Sequence, residues 1–224
     1  MDNVEINRLL KQHMQTRNNF FGVFPYDSVP VLEVSADKPS FIIINQDPAH
    51  KDGSHWIALE IDISQTKKPK RKGMYFDSYG HAPPKHMKKH VMRILGKKYA
   101  HNKQALQGFL ATTCGQWCML YILERCRGTT HTSFLKSFSK KDLDTNDILA
   151  NAMVEKEFQT DQDVIDTSFI LENSDCKKQQ CKDRQHNEHI AALISDVIPL
   201  FSKKVKAKGK KGMLKRVTRK KHTG

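Results

Sequence analysis

The sequence has no cysteine in its first 113 residues and no apolar stretch as long as a membrane-spanning helix. The five cysteines occupy positions 114, 118, 126, 176 and 181. An odd number confined to the second half of the chain is atypical of a secreted disulfide framework and favours free thiols in a reducing compartment. Because a spanning helix needs about 20 apolar residues, and because the polar N-terminus is unlike a signal peptide, we expect a cytoplasmic or nuclear protein without a membrane segment.

Acidic residues are absent from positions 203–222, which hold eleven lysines and arginines. The net charge is +14, so the rest of the chain carries only +3. Clustered cations without apolar periodicity predict a disordered arm that binds nucleic acid or another polyanion, with a solvated tail or a nuclear localisation signal as alternatives. We therefore expect a folded domain at 1–201, with a core at 1–160 and a helical part at 161–201, followed by a basic disordered tail at 202–224.

Apolar periodicity predicts two strands, at 55–62 and 73–77, joined by a basic loop at 64–72. That loop resembles a short nuclear localisation signal, although a solubilising loop explains it equally well. In an antiparallel pair the ends away from the loop lie together, so His55 should lie near Asp77. A further strand is predicted at 40–45, and helices at 3–14, 84–95, 133–138, 146–158 and 187–201.

Cys114 opens a run in which Met119, Ile122 and Leu123 recur at helical spacing, so it should begin a buried helix. Thr112 or Thr113 can cap that helix, which places the thiol in its first turn. The positive end of the helix dipole favours the thiolate there, and the thiolate is the nucleophilic form of cysteine. This is where a cysteine enzyme would place its nucleophile.

A cysteine nucleophile needs a base, a group that orients the base, and donors to the oxyanion. His55 is a candidate base, and Asp77 can accept from its imidazole and fix the tautomer. The side-chain amide of Gln107 and the backbone N–H of Cys114 are candidate oxyanion donors. Each assignment is weak alone, since an isolated histidine on a strand is more often structural; the set carries the hypothesis.

Four short motifs surround these residues. They are His55-Trp56, Phe76-Asp77-Ser78-Tyr79-Gly80, Gln107-Gly108 and Thr113-Cys114-Gly115. In this order they resemble the adenovirus-type (adenain-like) cysteine endopeptidases and the related ubiquitin-like-protein-specific proteases. The seven-residue step from Gln107 to Cys114 and the segments 20–24 and 42–45 are similar to the adenoviral branch, whereas an aspartate as the acid is similar to the other branch.

The resemblance implies an α+β fold, a papain-like core in which a central nucleophile helix packs on a small mixed sheet. It implies Cys114 as nucleophile, His55 as general base, Asp77 as its orienting acid and Gln107 as oxyanion donor. It also implies that Trp56 packs beside the imidazole, although a plain core role for Trp56 is equally compatible with the sequence. The chemistry would need no cofactor. Adenoviral enzymes are activated by a peptide through a disulfide to an upstream cysteine; no cysteine precedes Cys114 here, so we expect any activating peptide to bind noncovalently.

The function implied by the resemblance is hydrolysis of peptide bonds next to small residues, above all glycine, in viral precursor proteins during virion maturation. DNA would stimulate the enzyme through the basic tail and loops, and the protein would occur in the virion and host nucleus, with the cytoplasm as the alternative. Two other functions stay open. One is a ubiquitin-like-protein-specific (SUMO-type) protease, and the other is a basic nucleic-acid-binding protein on an inactive protease fold.

Two groups of residues could also bind metal. Cys176, Cys181, His186 and His189 lie within fourteen residues, but their spacing departs from that of zinc fingers and knuckles, so we favour a solvated loop over zinc. His86 and His90 are four residues apart among lysines, which favours an exposed basic face. Cys118 and Cys126 are expected to be core residues.

Overall fold

The computed structural model describes residues 1–34, 38–62 and 72–158. In chain order, the elements are α1 (Asn3–Gln12), β1 (Phe20–Pro25), β2 (Ser40–Asn45), β3 (Trp56–Asp62), β4 (Lys72–Phe76), α2 (Lys88–Leu95), β5 (Ala100–His101), α3 (Cys114–Cys126), α4 (His131–Leu135) and α5 (Leu143–Phe158). The predicted helical part at 161–201, the basic tail and most of the loop at 64–72 lie outside these ranges, as do Cys176, Cys181, His186 and His189.

The five strands form one mixed sheet in the order β1-β2-β3-β4-β5. The inner pairs β2–β3 and β3–β4 are antiparallel, and the outer pairs β1–β2 and β4–β5 are parallel. Helix α2 covers one face of the sheet, and α1, α3, α4 and α5 cover the other. The expected α+β fold, with a central helix packed on a small mixed sheet, is confirmed.

The central strand β3 contributes side chains to both faces of the sheet. Ile57, Leu59 and Ile61 join the core under α2, whereas Trp56 and Ala58 face the core around α3. This is the alternation that the sequence predicts, since successive strand side chains point to opposite faces. A slip by one residue would exchange the two faces of β3 and move the charged Glu60 into the aliphatic core under α2, so the register and the positions of the strand ends are well determined.

Helix α3 is buried on every side rather than along one stripe. Its fully buried side chains include Trp117, Met119, Leu120, Ile122 and Leu123. Removing one such side chain from water contributes about 1.5–3 kcal/mol, so this helix is a major source of stability. Cys114, its first residue, is therefore positioned by the core and not by a surface loop.

A buried ion pair fixes the far end of α3 against the sheet. Glu60 on β3 accepts hydrogen bonds from the Tyr121 hydroxyl at 2.7 Å and from Nε of Arg125 at 2.8 Å. The ring of Tyr121 also stacks on Phe76 of β4, with centroids 4.2 Å apart. These contacts set the rotation of the helix about its axis, which decides where its first turn points.

The predicted element boundaries are partly wrong. Helix α2 begins at Lys88 and not at Pro84, because residues 84–87 form a turn. In this turn the Pro84 carbonyl accepts hydrogen bonds from the N–H groups of Met87 and Lys88. The helices predicted at 133–138 and 146–158 begin earlier, at His131 and Leu143. The segment Phe20–Pro25, for which no strand was predicted, forms β1. Within the described ranges, no helix has the length and apolar character needed to cross a membrane.

Candidate active site

The two central strands bring His55 and Asp77 together. His55 directly precedes β3 and Asp77 directly follows β4, and Ala58 pairs with Phe76 in the antiparallel ladder. The ring Nε2 of His55 lies 2.9 Å from Oδ1 of Asp77. The hairpin predicted from the sequence therefore places these two side chains as expected.

The hydrogen bonds assign the two nitrogens of the imidazole. A carboxylate can only accept, so Nε2 carries the hydrogen that Asp77 receives. The thiol of Cys114 interacts with the same imidazole, and Nδ1 is the nitrogen left to face it. Asp77 is fully buried and His55 nearly so, which shields the pair from water. The result is a buried acid–imidazole–thiol line.

This arrangement favours a thiolate–imidazolium pair. Burial opposes a charged imidazole, but the hydrogen bonds to Asp77 and to Cys114 outweigh it and raise the pKa of His55 to about 9. Burial also opposes the thiolate, yet the hydrogen bond to His55 and a backbone hydrogen bond at Trp56 outweigh it, so the pKa of Cys114 is lowered. Each group stabilises the charged form of the other.

The other two cysteines of the described ranges have the opposite character. All three are free thiols. Cys118 is fully buried one helical turn after Cys114, and burial raises its pKa well above the ordinary value. Burial, followed by the nearby charge of Glu60, raises the pKa of Cys126 to about 12. The expected core position is confirmed for Cys118, while Cys126 is only partly buried at the edge of the core.

Selective alkylation of Cys114 is the first expected result. Iodoacetamide should modify Cys114 with a pH midpoint below the ordinary thiol value of about 8.5, because the thiolate is the reacting form. Cys118 in the folded protein should react at least about 100-fold more slowly, since burial keeps it protonated. Mass spectrometry of peptides after timed labelling measures each cysteine separately. Equal rates at Cys114 and Cys118 in the folded protein, or an ordinary midpoint for Cys114, would contradict the ion pair.

The backbone of Asp77 is held by one buried amide. Asn102, directly after β5, accepts from the Asp77 N–H at 2.9 Å and donates to the Asp77 carbonyl at 2.6 Å. Oδ1 of Asp77 also accepts from the N–H of Tyr79 at 2.9 Å. The acid is thus fixed from both sides. Nothing in the sequence indicated this role for Asn102, because β5 is only two residues long and has no periodicity.

Gln107 lies beside this site with its amide orientation fixed. Its Nε2 donates to the carbonyl of Ala111 at 2.6 Å and to the hydroxyl of Tyr79 at 3.1 Å, while the Ser78 hydroxyl donates to its Oε1 at 2.6 Å. A carbonyl can only accept, so the nitrogen must face Ala111. Both amide hydrogens are used inside the protein, and at least one must be released before Gln107 can bind an oxyanion.

The contacts of the aromatic residues differ from those expected. The ring packed against His55 is that of Tyr79, with centroids 4.9 Å apart, and no role was predicted for this residue. The indole of Trp56 donates to Asn3 on α1 at 2.6 Å and lies near Gly115. The backbone of Trp56 contributes to the site, because its hydrogen bond with Cys114 helps to lower the pKa of that thiol.

The start of α3 also differs from the sequence prediction. Thr113 is the N-cap residue, but its hydroxyl makes no capping bond to the helix. It donates instead to the carboxylate of Asp147 on α5, at 2.5 Å. The backbone N–H groups of the first turn are therefore left without a side-chain cap, as an oxyanion-binding role would need.

No metal centre is found in the part of the chain that the structure describes, where no three ligand-type side chains converge. His86 and His90 pack their rings edge-on against Tyr26, with centroids 5.3 and 5.2 Å apart. Their role in this structure is packing at the exposed edge of α2.

No protein-family model and no curated protein matches the chain. A solved structure with a similar fold is the crystal structure of the selenomethionine form of ASFV pS273R protease, which is 16% identical in sequence. The match covers 71% of this chain and 68% of that one, with a TM-score of 0.45. This likeness does not separate the adenoviral branch from the ubiquitin-like-protein branch, and the functional argument rests on the site itself.

Proposed function

We propose that the protein is a cysteine endopeptidase whose nucleophile is Cys114. The observation that supports this most is the buried line from Asp77 Oδ1 to His55 Nε2, 2.9 Å, continuing from the imidazole to the thiol. A thiolate at a helix start, an imidazolium beside it and a carboxylate behind the imidazole are the groups that acyl transfer needs.

In the first half of the reaction, the thiolate of Cys114 attacks the scissile carbonyl and forms a tetrahedral oxyanion. The N–H of Cys114 and one N–H of Gln107, released from Ala111, stabilise that oxyanion. The intermediate collapses as Nδ1–H of the His55 imidazolium protonates the leaving amine. The products are an acyl-enzyme thioester, a free amine and a neutral imidazole.

In the second half, Nδ1 of His55 takes a proton from water, and the hydroxide formed attacks the thioester. The thiolate leaves, the carboxylic acid product departs, and the imidazolium is restored. Asp77 accepts the hydrogen bond from Nε2–H throughout and does not take the proton. This bond orients the imidazole ring and stabilises its positive charge. No cofactor takes part in these steps.

We further propose that the substrates are viral precursor proteins cut next to glycine or another small residue, in the virion and host nucleus. The family resemblance of the four motifs supports this substrate class. An activating peptide would bind noncovalently, since positions 1–113 hold no cysteine with which it could form a disulfide. A ubiquitin-like-protein-specific protease is the second candidate, and the aspartate at position 77 favours it.

The deciding experiment incubates the purified full chain with two kinds of substrate, glycine-containing peptides and a folded ubiquitin-like modifier fused through its Gly-Gly end. The Cys114→Ala variant is the control in both. Cleavage of the peptides supports the viral endopeptidase, and cleavage of the fusion alone supports the modifier protease. If neither substrate is cleaved and Cys114 is alkylated slowly at neutral pH, the result would support the remaining hypothesis, a nucleic-acid-binding protein on an inactive protease fold.

Stimulation by DNA is the second expected result. Lys88 and Lys89 are exposed at the start of α2, and Lys85 is exposed in the turn before it. Residues 203–222 add eleven further cations. Binding that releases counterions weakens steeply with salt. Duplex DNA should therefore raise kcat/KM at 50 mM salt by about tenfold, and the gain should vanish by several hundred millimolar salt. A chain truncated after residue 202 serves as the matched variant. No DNA effect at low salt would contradict the proposal.

A further inference from the structure

The two residues on either side of Gln107 are both held by helix α5. The Nδ2 of Asn146 donates to the carbonyl of Leu106 at 3.2 Å. The N–H of Gly108 donates to Oδ2 of Asp147 at 2.7 Å. Asn146 and Asp147 are buried, although the helix around them is otherwise apolar on its inner side. The peptide segment that carries Gln107 is therefore fixed from α5, about forty positions later in the chain.

The carboxylate of Asp147 also reaches the start of the nucleophile helix. Its Oδ1 accepts from the Thr113 hydroxyl at 2.5 Å and from the Trp117 indole N–H at 2.8 Å. Thr113 directly precedes Cys114, and Trp117 lies in the first turn of α3. One carboxylate thus connects the residue after Gln107 with the residue before Cys114.

Three neutral donors converge on this carboxylate, and a carboxylate accepts hydrogen bonds more strongly than a neutral oxygen. The nearby start of α3 presents the positive end of its dipole, which stabilises a negative charge at that position. Within the loop from Gly108 to Thr113, the N–H of Ala111 donates to the Gly108 carbonyl at 3.1 Å and the Ala111 carbonyl accepts from Gln107, whereas Phe109 and Leu110 are about nine-tenths exposed. Asp147 connects the two ends of this loop through Gly108 and Thr113.

We propose that Asp147 is a positioning residue that sets the distance between the Gln107 amide and the Cys114 sulfur. This inference rests on the proposed peptidase function, because the distance matters only if an oxyanion forms between the two groups. Asp147 acts through Gly108, Thr113 and Trp117 and does not contact the His55–Asp77 pair. Its loss should impair oxyanion stabilisation while leaving the thiolate–imidazolium pair intact.

The test compares Asp147→Asn with Asp144→Asn in the full chain. The asparagine at 147 keeps the shape but turns one accepting oxygen into a donor, so it cannot serve all three N–H and O–H groups. Asp144 lies one helical turn earlier, is exposed and makes none of these three bonds. We expect Asp147→Asn to lower kcat about 10–100-fold with KM within about twofold, as loss of a transition-state contact does. Asp144→Asn should match the wild type.

The second measurement is the alkylation rate of Cys114 and its pH midpoint. In Asp147→Asn the alkylation rate should stay within about threefold of the wild type, and the pH midpoint within a few tenths of a pH unit. The reason is that the groups that ionise Cys114 are unchanged. A fall in alkylation in parallel with kcat would overturn the inference, since it would show a general loss of the site. An unchanged kcat in a folded Asp147→Asn protein would overturn it as well.

A milder variant covers the case in which Asp147→Asn does not fold. Thr113→Val replaces the hydroxyl donor by a methyl group of similar volume. The carboxylate of Asp147 keeps its hydrogen bonds from Gly108 and Trp117. It should lower kcat about 3–10-fold with alkylation preserved. Wild-type kcat in Thr113→Val overturns the role if Asp147→Asn is unfolded. An inactive wild type would show that the proposed function has failed, whereas an active wild type with unaffected variants would show that only this inference has failed.

Discussion

Replacing Cys114 by alanine is expected to abolish peptide hydrolysis, lowering kcat/KM by at least about 10⁴-fold, because no other group near the site can form the acyl-enzyme. The expectation follows from the thiol's hydrogen bond to His55 and its lowered pKa, which distinguish it from the other described cysteines. Single-turnover and steady-state assays on the cleaved substrate measure the loss, and the acyl-enzyme should disappear from intact-mass spectra.

The matched control is Cys118→Ala, one helical turn further along α3. Cys118 is fully buried, and burial keeps it protonated, so it should contribute to packing and not to chemistry. We expect kcat within about threefold of the wild type and a stability loss of about 1 kcal/mol from the missing buried sulfur. Residual activity above about 1% in Cys114→Ala, confirmed free of wild-type protein, would show that the nucleophile lies elsewhere.

Replacing His55 by alanine is expected to lower kcat/KM by about 10³–10⁴-fold, since the imidazole supplies both the proton for the leaving amine and the base for water. A second effect should accompany it. Without the hydrogen bond and positive charge of His55, the pKa of Cys114 should rise, so its alkylation at neutral pH should slow sharply. Exposed His50, replaced by alanine, is the control and should change neither quantity.

The pH profile of the wild type tests the same pair. In the proposed mechanism, activity needs an ionised Cys114 and a protonated His55. It should therefore rise on the acid side at a pH below the ordinary thiol value and fall on the alkaline side near pH 9, where His55 loses its proton. These limits belong to the coupled pair and not to either residue alone. An alkaline limb near the ordinary histidine value of about 6.5 would contradict the stabilising role of Asp77.

The site brings together groups that are local in sequence and groups that are distant. His55 and Asp77 are 22 residues apart but occupy the two ends of one hairpin, so strand periodicity is enough to pair them. The contact of Cys114 with this pair depends on how α3 lies on β3, which the sequence could supply only through family resemblance. Burial around α3 explains why that packing is well determined.

The sequence by itself determined the pairing of β3 with β4, the two faces of β3, the buried helix that begins at Cys114 and the burial of Cys118. Each of these follows from a local period of two or 3.6 residues that matches an apolar core. The strands β1 and β5 were missed because their parallel pairing depends on neighbours that are distant along the chain and leaves no alternation in short segments.

Only the tertiary structure decided the hydrogen bonds that surround the site. These hydrogen bonds join residues about 25 to 34 positions apart, and no spacing rule connects such pairs. They are the bonds between Asn102 and Asp77, between Ser78 and Gln107, and between Asp147 and Thr113. The structure also decided that the Gln107 amide faces Ala111, since an amide has two orientations of equal size and only its partners choose between them. The sequence indicated the candidate nucleophile Cys114, the candidate base His55 and the candidate acid Asp77, and the fold decided the hydrogen bonds that hold them.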